Sequence, residues 1–360
     1  MSILYDAGQE AIAIESRRVL DARTSKERLL GLLEHTGVFD QPFWDTAVAQ
    51  GWTALAIPEE YGGLGLGLVE LGLVAQACGA ATAGAPFLTS SYGTACALIA
   101  AGNTAWLPRL ASGEATAAVA TAEGSSPLPP APVVRYAGGK LSGVKPAVTG
   151  GLAADIAVVW ASGEGGPMLV LAELATVERR AIDSYDNSRL YADLVFDETP
   201  GSLLAEGAAA RALALDVLAR MAVVTAHEQV GGAEALLHVA RDYALTRKAF
   251  GQPIGAFQSI KHRIAEMYGL VEIARANCIH AAAREGQDHF LIAAADARIS
   301  ATEAYDTCAR DCMHIHGGIG VTWDQGLHLH MRRARSLAVE QGSLYFWEDM
   351  LVDQLAEVAA

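Results

Sequence analysis

The chain has 360 residues, 52% of them hydrophobic and 19% charged, with a formal charge of -15 at pH 7. That balance excludes a disordered chain and leaves room for two or three domains with large cores. The acidic excess excludes an extended nucleic-acid surface, because phosphate binding needs clustered cations, although a local group such as Arg247, Lys248, Lys261, His262 and Arg263 can still hold a small diphosphate.

Charges interrupt the alanine-rich apolar stretches before about 18 residues accumulate, and no basic start, apolar run and small-residue cleavage site open the chain. A cytoplasmic protein without a membrane span is the expectation. Cys78, Cys96, Cys278, Cys308 and Cys312 are odd in number and lack a framework spacing, which suits reduced thiols. Cys308, Cys312, His314 and His316 gather four donor side chains in one short stretch. The intervening Ala, Met and Ile read as buried helix rather than a zinc turn, so no metal is expected.

In chain order, residues 1–115 read as an N-terminal helical domain, with helix-period stretches near 6–35, 42–53, 66–80 and 92–103 broken by Pro58, Tyr61-Gly62-Gly63 and Gly79. Residues 116–204 change texture: Pro127, Pro129, Pro130 and Pro132, the turn Gly138-Gly139, and β-prone runs at Ile156–Trp160 and Met168–Leu171 predict a compact antiparallel β domain. Residues 205–360 return to long helices near 206–246, 255–285, 290–315 and 326–357, with breaks at Gly251, Gly255, Gly286 and Gly317-Gly318. Short connections between four apolar-faced helices predict an antiparallel four-helix bundle. The class is α+β, in the order α, β, α.

Two glycine-bearing turns carry chemistry. Arg247 ends one helix and Gly251 and Gly255 open the backbone before the next, so a guanidinium and free N–H groups could converge on a diphosphate. Gly317-Gly318 would permit close ligand approach in the same way. Taken alone, each motif is more often a helix cap than a cofactor site.

The run Arg247-Lys248-Ala249-Phe250-Gly251-Gln252-Pro253-Ile254-Gly255-Ala256-Phe257-Gln258 closely resembles the arginine signature of flavin-dependent acyl-CoA dehydrogenases, and His316-Gly317-Gly318-Ile319-Gly320 resembles their second glycine signature. The likeness extends to Glu60-Tyr61-Gly62-Gly63-Leu64-Gly65 and to the segment from Leu141 to Asp155. The resemblance implies an α-β-α acyl-CoA dehydrogenase fold, FAD as cofactor, an acyl-CoA substrate and electron-transferring flavoprotein as acceptor. It also implies a tetramer, in which Arg247, Phe250 and Gln258 hold the diphosphate and adenine end of FAD across a subunit boundary. His314, Gly317, Gly318 and Thr149 match further cofactor positions.

The implied reaction needs a carboxylate to remove the α-proton of the thioester while a hydride leaves the β-carbon. Matching Arg332-Arg333-Ala334-Arg335 onto the family pattern puts Gln341 at the base position, and an amide is no base. Glu340, one residue away, points about 100° elsewhere on a helix and reads as a surface or interface carboxylate, a weak substitute. The alternative base position of some members falls on Met221, and Glu228 and Glu272 read as solvent-facing or paired carboxylates. Ala147 stands where the family commonly has an aromatic two residues before Thr149, the loop Thr121–Pro127 lacks the usual Gly-Ser-Asp ending, and His314 replaces a frequent glutamine.

Three functions follow from that pattern. The first is the base-lacking short subunit of a heterotetramer, similar to the short subunits of steroid side-chain-degrading members. The second is an active homo-oligomer using Glu340 or another carboxylate, and the third a FAD- or CoA-binding scaffold without redox chemistry.

Overall fold

The computed structural model describes residues 5–84 and 86–359. The helical part opens with α1 (Ala7–Arg23) and α2 (Lys26–Glu34), then α3 (Gln41–Ala49), α4 (Leu68–Ala80), α5 (Phe87–Ala100) and α6 (Leu107–Ala111). Asp6 and Gln9 form a reciprocal capping box at α1. The single helix expected near 6–35 is two, because the Ser25 hydroxyl accepts from the Arg28 N–H and starts α2 afresh.

The sheet comprises β1 (Ala117–Ala120), β2 (Arg135–Ala137), β3 (Lys140–Val148), β4 (Ile156–Gly163), β5 (Gly166–Glu173), β6 (Glu178–Ala181) and β7 (Ala192–Glu206). Its path is β1-β4-β2-β3-β7-β5, with β6 on β7, and β5 also pairs with β4, so the sheet closes on itself. The antiparallel expectation needs one correction: β1 runs parallel to β4, from Ala117 opposite Ile156 to Ala120 opposite Val159. Strand β1 enters directly from the helices and reaches β4 only after the β2–β3 hairpin intervenes, a crossover that permits the parallel pairing. Fully buried β4 side chains, Trp160 among them, make it the centre of the sheet.

Gly207 starts α7 (Gly207–Thr246), which a two-strand turn of β8 (Lys248–Ala249) and β9 (Gln252–Pro253) joins to α8 (Gln258–Ala283). Next come α9 (Phe290–His316), α10 (Leu327–Leu337) and α11 (Leu344–Ala359). The fourth bundle helix, expected as one rod near 326–357, is therefore interrupted between α10 and α11. Gln341 and Gly342 both take left-handed backbone there, with φ of 56° and 108°. Only glycine suits the second position, since a Cβ on Gly342 would lie 2.7 Å from the Phe346 ring.

Helices α4 and α7 meet backbone to backbone. A Cβ on Gly79 would fall 1.8 Å from the Glu228 carbonyl oxygen, and one on Gly231 would fall 1.9 Å from that of Gln76. The paired glycines thus fix where the N-terminal helices press on the bundle.

Candidate functional site

A cavity of about 530 Å³ lies where the β domain faces α5, α7 and the α10–α11 break. Its β side is built from residues 119–122 and 146–149, and its helical side from Leu218, Met221 and the segment 339–343. Strand β3 delivers Thr149 to the wall, and the preceding Ala147 sits at φ 48° with its N–H donating to Asp193 Oδ1 at 2.9 Å. Lys145, fully buried on the same strand, donates from Nζ to Glu123 Oε1 at 2.5 Å, and Glu123 Oε2 accepts from the Val133 N–H at 2.9 Å. Burial pushes the Lys145 ammonium down to about 8 although Glu123 opposes the shift. This pair ties the cavity-lining loop at 121–127 to the strand behind it.

Gln341 and Met221, the two positions matched to a base, both line the cavity. Met221 is an apolar wall residue whose sulfur would lie 2.4 Å from a Cβ on Gly93. The Gln341 side chain accepts a hydrogen bond at Oε1 from the Thr225 hydroxyl of α7 at 2.8 Å.

Glu340 corrects its sequence reading. It is buried at 5% exposure rather than at the surface. Arg189 grips it bidentately, with Nε to Oε1 at 2.8 Å and Nη2 to Oε2 at 2.6 Å, and the Tyr191 hydroxyl donates to Oε1 at 2.7 Å. Burial alone would lower the Arg189 guanidinium, but Glu340 and Glu228 outweigh it and hold Arg189 well above the usual arginine range. Burial and the Glu340 charge together push the Tyr191 phenol well up, so it stays a donor. Arg298, buried on α9, fixes the same segment from behind by donating to the carbonyl oxygens of Leu337 and, at 2.8 Å, Glu340.

The other helical carboxylates are also accounted for. Glu228 is buried and accepts from Arg333 Nη1 at 2.7 Å, while Arg333 Nε donates to Asp186 at 2.9 Å. Glu272 is exposed and pairs with Arg275 at 3.4 Å. Among the described residues lining the cavity, Glu340 is the one carboxylate and Arg189 the one cation, and each neutralises the other.

The remaining matched residues lie elsewhere. Arg247, Phe250, Gln258, His314, Gly317 and Gly318 are all exposed, Phe250 by 97%, and none lines the cavity. The turn after α7 and the end of α9 share one end of the bundle, where the rings of Tyr243 and His316 stack with centroids 4.0 Å apart. From Thr225 to Arg247 the helix α7 runs about 30 Å. The cavity and the arginine turn of one chain therefore do not converge. Among the described residues the Arg247 side chain has no carboxylate partner. Of the donors weighed for zinc, Cys308, Cys312 and His316 are buried on α9, and His316 Nδ1 lies 2.8 Å from the Cys312 carbonyl oxygen.

Sequence reading missed Arg189, Tyr191, Thr225 and Arg298. A polar residue inside an apolar helical run, as Thr225 is in Met221–Ala226, was the available signal; Arg189 follows a polar turn and gave none.

No helix among the described residues is long and apolar enough to cross a membrane. The acyl-CoA dehydrogenase C-terminal domain matches residues 206–356 and the acyl-CoA dehydrogenase N-terminal domain residues 7–114. The acyl-CoA dehydrogenase IpdE2 of Mycobacterium tuberculosis is 32% identical over 302 residues, which cover 83% of this chain and 82% of that protein. The solved Tcur3481-Tcur3483 steroid ACAD, a single-residue variant, is similar with a TM-score of 0.86 at 26% identity over 98% of both chains. The ChsE4-ChsE5 complex from Mycobacterium tuberculosis is similar with a TM-score of 0.87 at 25% identity over 99% of both. The chain belongs to the acyl-CoA dehydrogenase family, whose members are FAD-dependent oxidoreductases.

Proposed function

We propose that this chain is the base-lacking subunit of a heteromeric acyl-CoA dehydrogenase, completing with its outer surface a flavin site whose proton-abstracting carboxylate belongs to a companion chain. One observation carries the reading: among the described residues, no free carboxylate faces the cavity. Glu340 already accepts three hydrogen bonds, and its two oxygens are committed to Arg189 and Tyr191. Freeing it would strand a buried guanidinium, so Glu340 does not serve as the base.

The residues fit FAD at its diphosphate end, on the outside of the chain. A diphosphate needs cations, and among the described residues the cavity's single guanidinium is spent on Glu340, whereas Arg247 stands exposed without a carboxylate partner. Arg247, Gln258 and the backbone at Gly317-Gly318 would hold that end of a cofactor seated in the neighbouring chain, with Phe250 and His314 beside it. When bound, FAD supplies a hydride acceptor for the β-carbon of the acyl thioester. This chain's part is to bind and orient. In its own cavity Gln341 cannot take the α-proton, because an amide nitrogen has no basic lone pair.

The two-component name of the ChsE4-ChsE5 complex and the steroid ACAD description support a heteromer, extended here to a tetramer acting on a bulky acyl-CoA with electron-transferring flavoprotein as acceptor. Co-expression with a paralogous chain that carries glutamate at the position of Gln341 tests the reading. Flavin absorbance and acyl-CoA-dependent dye reduction are expected from the pair and not from this chain alone. Turnover by the chain alone overturns it.

A further inference from the structure

The base-lacking reading leaves an unexplained cavity, and its geometry gives the glutamine a task. Oε1 of Gln341 is taken by the Thr225 hydroxyl at 2.8 Å. That leaves Nε2, which among the described residues has no protein acceptor and is not sealed from the cavity. Around it the wall is uncharged: Met221, Leu218 and Val148 are apolar, and the Arg189–Glu340 pair is internally neutral. A donor presented on such an uncharged wall discriminates for a ligand oxygen placed opposite it.

We propose that Gln341 is a recognition residue, donating from Nε2 to the carbonyl oxygen of an uncharged acyl group bound in this chain's own cavity. The inference rests on the base-lacking reading and deepens it, since the position that cannot abstract a proton becomes one that grips a carbonyl. Three features hold the donor in place. The left-handed turn at Gln341 and Gly342 projects the side chain, Thr225 fixes which end of the amide faces inward, and Arg298 with Arg189 immobilises the preceding residue. The cavity so furnished selects neutral ligands with an acceptor. It offers no free cation to a carboxylate and no free anion to an amine.

The test is calorimetric titration of the purified assembly with octanoyl-CoA and with the octyl thioether of CoA, in which a methylene replaces the carbonyl. Sites in the companion chain serve as an internal reference. At this chain's sites the thioester is expected to bind about three- to tenfold more tightly than the thioether. Gln341→Leu should abolish that preference while leaving thermal unfolding and flavin content unchanged. Thr225→Val, which releases the amide, should reduce it, and it serves where the leucine variant fails to fold. Equal binding of the two ligands by the wild type, or a preference that survives Gln341→Leu, overturns the assignment. Octanoyl-CoA turnover by the unmixed chain, read as anaerobic flavin bleaching, would instead sink the base-lacking reading. A lost thioester preference without such turnover sinks only the donor role.

Discussion

The cavity and the arginine turn are opposite kinds of place. Inside the cavity and directly behind its wall, the charged side chains have found partners within the chain: Arg189 with Glu340 in the lining, Lys145 with Glu123 behind it. At the arginine turn, Arg247, Phe250 and Gln258 project into solvent with side chains that make no polar contact among the described residues, about 30 Å along α7 from Thr225. The first region is self-sufficient and lacks the reactive group. The second has binding groups and lacks anything to bind within its own chain. Under the proposed function, the contrast teaches that one chain can keep the scaffold of a site without its base, while the groups it would lend outward stay open.

The contrast breaks most completely if the cavity can be made reactive. Gln341→Glu places a carboxylate beside the Thr225 hydroxyl, and in an assembly whose companion glutamate has been replaced by glutamine a gain of about 10²–10⁴-fold in acyl-CoA-dependent dye reduction is expected. No gain would show that the cavity has lost more than its base. Arg189→Leu attacks the self-sufficiency instead, leaving Glu340 buried and unpaired. A loss of about 3–5 kcal/mol in unfolding free energy should follow, whereas Arg241→Ala at the exposed bundle surface should change stability little.

Acid probes the same interior more gently. Burial pushes the His227 imidazole down to about 4, with Arg275 adding to the shift, and Gln76 Nε2 sits 2.9 Å from its Nδ1. Because the folded value lies below the unfolded one, the unfolded chain takes up the proton first. Stability is therefore full above about pH 6.5 and falls as pH drops toward 4, by at most about 3 kcal/mol. Urea unfolding at neutral and acid pH should show that slope flattened in His227→Asn. Smallest is the outer effect: Arg247→Ala should cost about 1.5–3 kcal/mol of flavin affinity in the assembly, a loosening of roughly tenfold or more, with thermal unfolding of the chain unchanged. Undiminished flavin occupancy would place the diphosphate clamp elsewhere.

The order of helices and strands was readable because it is written in periodicity. Apolar residues recur at helical spacing from 207 to 246, and they cluster in short β-branched runs such as Ile156–Trp160. The break between α10 and α11 was passed over although Gly342 is its one local signal, since Ala338-Val339-Glu340-Gln341 before it has ordinary helical propensity and nothing in it marks Gln341 for a left-handed backbone. Gln341 could be found because a signature surrounds it. Glu340 was misjudged for a related reason. An angular argument on a helix says where a side chain starts, while the partner that buries it, Arg189, comes from a turn some 150 residues earlier in the chain. Long-range ion pairs leave no local trace, so the cavity's neutrality became visible only in three dimensions.

The glycine crossing of α4 and α7 bears on how ligands come and go. Two backbones in direct contact, with Gly79 against the Glu228 carbonyl and Gly231 against that of Gln76, have no side chains between them to act as a bearing. The N-terminal helices therefore cannot swing away from the bundle as a hinged door without separating main-chain atoms already at their closest approach. Traffic into the cavity falls instead to its β-domain rim, so exchange rates should respond to substitutions at Gly124 and Ser125 and be indifferent to those at the outer ends of α1 and α2.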